Sequence, residues 1–275
     1  MTRSRSKGFN SYTRKIGFNT LVMTFIKNDN RLLIIMIILT MIGLSSCASK
    51  EKKPEQLSPE ESIARAETLI DEDKYEEARQ ILNEVRSSDV TRKYAPIAQL
   101  KIAESYEKDD NLEAAVNEYR RYIDQYPDSV YSPYAQFQIA MIYFSQIRGP
   151  DRGAGQARAA LKEFRKLQTL YPRNPYKEVV ELNIEKALNT IAEYEFLVGK
   201  FYFKKGSYGA ALGRFLEVME NYPGYKATDE VMYYITVSYD RLNDTKKRER
   251  YEKMFHDKYP KSEHLDRLKE ELLEK

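Results

Sequence analysis

From Ser58 onward, apolar and small residues recur at helical spacing, and the same set returns five times along the chain. Tyr-Pro stands at Tyr126-Pro127, Tyr171-Pro172, Tyr222-Pro223 and Tyr259-Pro260. Twelve residues before the first three prolines lie Ala115, Ala160 and Ala211. Four residues after each alanine is an aromatic, Tyr119, Phe164 or Phe215, and three further on are Tyr122, Leu167 and Val218. Ala103 and Gly199 lie twelve before Ala115 and Ala211, each followed three later by Tyr106 or Tyr202. A first unit lacks Tyr-Pro but keeps Ala66, Leu69, Tyr75, Ala78 and Leu82. A fifth has Arg248 where the others have alanine, as a polar end unit would. The pattern has a simple physical reading. Each unit is two antiparallel helices, small residues sit where helices approach closely, aromatics fill the gaps between units, and proline ends the second helix.

These small–x2–Tyr, Ala–x3–Phe and final Pro positions resemble the tetratricopeptide repeat. They predict an all-α chain, an α-solenoid of about five tetratricopeptide-like helix pairs. The spacing is uneven. The key positions 78, 115, 160, 211 and 248 step by 37, 45, 51 and 37, so the third and fourth repeats are enlarged. In the third, Ala140 lies 20 rather than 12 before Ala160, and the extra residues coincide with Arg148-Gly149-Pro150-Asp151-Arg152-Gly153-Ala154-Gly155. That Gly/Pro-rich stretch predicts a loop between the two helices. In the fourth, no breaker follows Asn174-Pro175 until Gly199, which predicts a first helix over about 176–204, roughly 45 Å long. At the array's start, Ser58-Pro59-Glu60-Glu61 carries a helix cap, a first-turn proline and a capping box.

Upstream, Leu32 to Leu44 is an apolar run of 13 residues behind Lys27 and Arg31. A spanning helix needs roughly 20, whereas this length suits a signal-peptide core. The run ends in Leu44-Ser45-Ser46-Cys47, which resembles a bacterial lipobox, with the sole cysteine as the residue to be acylated. Ala48 in place of Asp points to the outer membrane by the same resemblance. Because 46 residues is long for a leader, Met23 is the expected true start. The expected organisation is a leader over 1–46, lipidated Cys47 and a polar tether over 47–57, repeats 1–3 over 58–172 and repeats 4–5 over 173–275.

Charge changes meaning once the leader is set aside. The 275 residues carry net +3, but residues 1–47 hold seven Lys or Arg against Asp29 alone, so residues 48–275 are net −3. A general nucleic-acid affinity loses its support. One cysteine excludes a disulfide framework and a cysteine-rich zinc site. His256 and His264 are separated by the Pro260 break, which argues against a shared metal. No phosphate-binding glycine loop, HExxH or GxSxG is present. No catalytic residue, metal or cofactor is expected, and the chain reads as a non-enzyme.

Beyond the generic repeat, the sequence resembles the BamD family, lipoproteins of the machinery that assembles β-barrels into the outer membrane. The resemblance rests on Asp151-Arg152 with Ala157-Arg158-Ala159-Ala160, on Tyr171-Pro172-Arg173-Asn174, on Ala192-Glu193-Tyr194-Glu195-Phe196, and on Tyr202, Lys205-Gly206, Asn221-Tyr222-Pro223 and Ala227-Thr228. The enlarged third and fourth repeats fall where that family enlarges them. The resemblance implies a lipid-anchored scaffold at the outer membrane, facing the periplasm. Its implied partners are the POTRA domains of the barrel-inserting subunit, bound by the C-terminal half, and other lipoproteins of the complex. Unfolded outer-membrane proteins would be received by the N-terminal repeats. It also implies a contact of Lys205 with an acidic residue of the last POTRA domain. Best-known members carry Arg there, and Lys cannot make Arg's planar bidentate contact.

For a peptide groove, Tyr134, Phe137, Met141 and Phe144 form one apolar stripe at 3, 4, 3 spacing on the first helix of the third repeat. The competing reading is that the third-repeat loop or a neighbouring helix covers it. Two other functional classes remain at this point. One is a different repeat lipoprotein, such as a secretin pilot or cell-wall-associated scaffold. The other is a lytic-transglycosylase-like enzyme using Glu104, because Glu104-Ser105 matches the dipeptide of such enzymes.

Overall fold

Ser58 begins the first helix by a reciprocal cap. The Glu61 N–H donates to the Ser58 hydroxyl at 3.2 Å, and the Ser58 N–H donates to the Glu61 carboxylate at 2.8 Å. The computed structural model describes residues 57–273. The leader, Met23, Cys47 and tether residues 47–56 lie outside them. Eleven helices follow: α1 (Pro59–Asp71), α2 (Tyr75–Ser88), α3 (Ala95–Lys108), α4 (Leu112–Gln125), α5 (Ser132–Ser145), α6 (Pro150–Leu170), α7 (Lys177–Lys204), α8 (Tyr208–Asn221), α9 (Thr228–Arg241), α10 (Thr245–Lys258) and α11 (Glu263–Leu273). No strand occurs among the described residues.

Up to α10, each helix packs chiefly on its immediate neighbours in the chain. The apolar core is accordingly a series of local clusters between neighbouring helices. The repeat positions account for them. Ala66, Ala103, Ala140, Ala78, Ala115, Ala160 and Ala211 are wholly buried, as are Tyr119, Phe164 and Phe215.

Two backbone devices set the turns. Asp73, Asp110, Gly206 and Asn243 sit two residues before the second helix of repeats 1, 2, 4 and 5, at φ of 60°, 54°, 75° and 57°. Asp, Asn and Gly are the residues that tolerate this left-handed region. At the other end, Tyr126, Tyr171, Tyr222 and Tyr259 close α4, α6, α8 and α10 with ψ between 56° and 65°. The following proline keeps them out of the helical region.

The third repeat departs from this plan, and one expectation fails there. Residues 150–155 are not a loop. Helix α6 begins at Pro150 and runs for 21 residues, so the enlargement is an added helical length at its N-terminal end. Proline suits the first helical position, and Gly149 at φ 104° makes the reversal in place of the usual left-handed residue. Gly153 lets Ile147 fold back closely, since a Cβ there would stand 2.9 Å from the Ile147 Cγ2. The long helix of the fourth repeat, expected over 176–204, is α7, with 28 residues and a length of about 42 Å.

A part-buried polar ladder, not expected from the sequence, crosses the repeats. Arg86 of α2 donates to Gln99 of α3 at 2.6 Å, and Gln99 donates to Glu118 of α4. One repeat on, Arg120 of α4 and Gln136 of α5 both donate to buried Glu163 of α6, at 3.0 and 2.9 Å. In the fourth repeat the middle position becomes an acid: Glu195 of α7 accepts from Arg158 of α6 at 2.5 Å and Arg214 of α8 at 2.7 Å. Helix α11 was also unexpected. Leu265 and Leu268 bury against α9 and cover the end of the last repeat.

Candidate binding surfaces

The expected stripe exists on α5, but it is not an open groove. The start of α7 lies across it. Phe137 stacks on Tyr176 with ring centroids 4.3 Å apart, and the Met141 sulfur accepts from Asn183 at 3.3 Å. Phe144 meets buried Phe164 edge-on at 6.0 Å. Lengthening the fourth repeat's first helix brings Tyr176 and Asn183 over these side chains, so Phe137, Met141 and Phe144 join α5 to α6 and α7. The reading in which a neighbouring helix covers the stripe is the one realised for these three residues.

Tyr134 is the exception, because it faces away from that seam. Together with Ile97, Leu100, Lys101 and Glu104 of α3, Val130 and Tyr131 of the preceding turn, and Tyr176, it lines a cavity of about 440 Å³. The floor is apolar and the rim is wet. Val130 is 84% exposed and Tyr131 52%. The polar groups are fixed. The Tyr134 hydroxyl donates to Glu104 at 3.2 Å and accepts from Gln138 at 2.9 Å. Burial, together with the Glu104 charge, pushes that hydroxyl above the usual phenol range. Lys101 lies 2.9 Å from Glu67 and 3.0 Å from Glu104. Burial opposes its charge, but the two carboxylates outweigh it and hold the ammonium above the usual lysine range. Glu104 is thus engaged by Lys101 and Tyr134, and Ser105 is buried, donating to the Ile102 carbonyl at 2.8 Å. The signal for this cavity was available in the sequence as the helical repeat of Ile97, Leu100, Lys101 and Glu104 on α3.

Lys205 ends α7 in the tight turn made by Gly206. Its ammonium lies 5.9 Å from the Phe201 ring centre, and Phe201 and Tyr202 meet edge-on at 5.6 Å. Leu197, Phe201 and Lys205 follow at i, i+4 and i+8 on one exposed face, with Phe201 57% exposed. Sequence reasoning named only the lysine; the structure adds an apolar patch beneath it.

Among the described residues no group of three or more His, Cys, Asp or Glu side chains is placed to hold a metal. Nor is any described helix long and apolar enough to cross a membrane.

Paired helices joined by left-handed turns and Tyr-Pro stops, with a groove between first helices, define a helical-repeat protein of tetratricopeptide type. The chain belongs to the YfiO family, described as outer membrane lipoproteins, whose model matches residues 55–254. It is 26% identical over 206 residues to outer membrane protein assembly factor BamD of Caulobacter vibrioides, covering 74% of this chain and 68% of that one. It is likewise 26% identical over 227 residues to the factor of the same name from Rickettsia prowazekii, covering 82% and 90%. Among solved structures, the yeast Sti1 TPR2AB domain complexed with pHSP90 is similar at a TM-score of 0.40 and 14% identity, covering 75% of this chain and 80% of that one. PilW, a type IV pilus biogenesis factor, is similar at 0.34 and 15%, covering 76% and 97%.

Proposed function

We propose that this chain is a non-catalytic, lipid-anchored scaffold that helps assemble and insert β-barrel proteins into the outer membrane. The family match across residues 55–254, nearly the whole repeat array, is the observation that carries this reading. Cys47 would carry the acyl chains, and the polar residues after it would tether the array on the periplasmic side. Several acyl chains hold a protein stably where a single one does not.

Within this reading the two halves divide the work. Repeats 1–3 would receive unfolded outer-membrane proteins at the α3–α5 cavity beside Tyr134. Its volume takes one aromatic side chain of an extended peptide, and the exposed Ile97, Val130 and Tyr131 extend an apolar rim for its neighbours. Repeats 4–5 would dock the barrel-inserting subunit through its POTRA domains at Lys205 and Phe201, with other lipoproteins of the complex alongside. The test is affinity isolation of the protein from solubilised outer membranes. Recovery of the barrel-inserting subunit in constant proportion is expected. Its absence, with the protein intact and membrane-bound, would overturn the reading.

A further inference from the structure

The outward face of α6 carries a charge pattern that none of these roles uses. At 100° per residue, Arg158, Lys162, Arg165, Lys166 and Thr169 fall within one sector of about 100°. From Arg152 to Arg173 the chain holds six basic residues against one acid, Glu163, although residues 48–275 are net −3. Glu163 does not offset them on the surface, because it is buried and taken by Arg120 and Gln136. Arg158 is engaged by Glu195, and Arg152 lies 3.5 Å from Asp151. Lys162, Arg165, Lys166 and Arg173 are exposed and make no ion pair among the described residues.

The shape of this face decides what it fits. The aromatic rings beside it, Phe164, Tyr194 and Tyr222, are buried or only partly exposed, so it lacks the protruding anchors on which protein interfaces concentrate their energy. Gly155 lies on the same face with nothing within 4 Å of where a Cβ would stand, so the rod is low and smooth there. At the far end, Leu170 is half exposed beside Lys166. Three unpaired cations within about 6 Å of a smooth helix, with half-exposed Arg158 one turn before them and one apolar side chain after them, match a flat, delocalised anionic surface. We propose that this face of α6 rests on anionic phospholipid headgroups of the membrane to which the protein is anchored. The proposal rests on the anchored reading above, because the lipid surface must be near.

Protein purified from membranes and reconstituted into vesicles separates the two ideas. Flotation with pure phosphatidylcholine vesicles reports the anchor alone. The face is read by lysine acylation rates, followed by mass spectrometry, in those vesicles and in vesicles with roughly one-fifth phosphatidylglycerol. Lys162 and Lys166 should label about fivefold more slowly on the anionic vesicles, and about 0.5 M salt should restore the rate. Lys246 and Lys253 of α10, exposed and also without ion pairs, should not change. Equal labelling of Lys162 and Lys166 in both vesicles overturns the proposal. So does uniform protection of all lysines, or protection that appears only when an acidic protein is bound. Arg165→Gln, which breaks no side-chain ion pair or hydrogen bond among the described residues, should weaken the protection of Lys162 and Lys166 without shifting the thermal midpoint.

Discussion

Gly199 on α7 and Phe215 on α8 are packed so closely that a Cβ at 199 would stand 2.4 Å from the Phe215 Cε1. The ring cannot retreat, because Phe196 and Tyr234 hold it, with centroids 5.7 and 5.3 Å away. Gly199→Ala should therefore destabilise the fold by about 1–3 kcal/mol through overpacking, despite alanine's better helix propensity. Adding Phe215→Leu should recover part of the loss. Chemical denaturation of the three variants checks both statements, and a stabilised single variant would contradict the close approach.

Glu195 joins α6, α7 and α8 by accepting from Arg158 and Arg214. Its side chain is 3% exposed, while the two arginines are 47% and 42% exposed. This asymmetry sets the order of effects. Removing both arginines leaves a buried carboxylate without partners, which should cost about 3–5 kcal/mol. Glu195→Ala leaves two arginines that water can reach, and should cost less. Equal losses in urea unfolding would show that the burial of Glu195 is not what matters.

The covered stripe and the open cavity predict different phenotypes. Phe137→Asp and Met141→Asp place a charge in the α5–α7 seam and should lower stability by about 2–4 kcal/mol. Tyr131→Asp and Ile97→Asp lie at the exposed cavity rim and should leave the melting temperature near that of the parent. They should weaken binding of an outer-membrane-protein strand peptide about tenfold, measured by fluorescence anisotropy. Peptide binding lost in the seam variants but kept in the rim variants would move the site back onto the stripe.

The contrast shows what sequence periodicity can carry. Small and aromatic positions recur with fixed offsets because each repeat solves the same local packing problem, so Ala115, Tyr119 and Tyr126-Pro127 announced the helix pairs. Residue order along one helix does not say what lies over it. Tyr176 reaches Phe137 from 39 residues away, and only the length and angle of α7 bring them together. The Arg–Gln–Glu ladder was hidden for a related reason, as each member looks like a solvated helix charge until its neighbour is placed. At 150–155, glycine and proline read as loop residues, yet there they serve a helix start and a close approach.

Asp89 caps the start of α3 and predicts an acid-sensitive step. Its carboxylate accepts from the Thr91 hydroxyl at 2.6 Å and from the Tyr94 and Ala95 N–H groups at 2.5 and 2.8 Å. The Thr91 hydroxyl bond, helped against partial desolvation by the Ala95 and Thr91 N–H groups, holds its carboxyl below the ordinary value of 3.8. A carboxyl whose folded pKa is depressed stabilises the fold above its unfolded value and loses that contribution as pH falls through the folded one. The melting-temperature gap between parent and Asp89→Asn should thus be steady near neutrality and close progressively below pH about 4. A gap independent of pH would exclude the capping charge as its source.

At the end of α7, Lys205 and Phe201 should contribute to partner docking in separable ways. Lys205 is exposed, with its ammonium over the Phe201 ring, so its charge acts at the rim of the patch. Phe201, with Leu197 on the same face, supplies apolar area that a partner can exclude from water. Phe201→Ala should raise the dissociation rate of the proposed POTRA partner about tenfold, with little change in salt dependence. Lys205→Ala should mainly slow association and flatten its dependence on ionic strength, because rim charges steer encounter more than they hold the complex. Lys205→Arg should bind at least as tightly as the parent, since guanidinium can fork onto a carboxylate where ammonium cannot. Surface plasmon resonance at two salt concentrations separates the rates, and a salt-insensitive association in the parent would remove Lys205 from the interface.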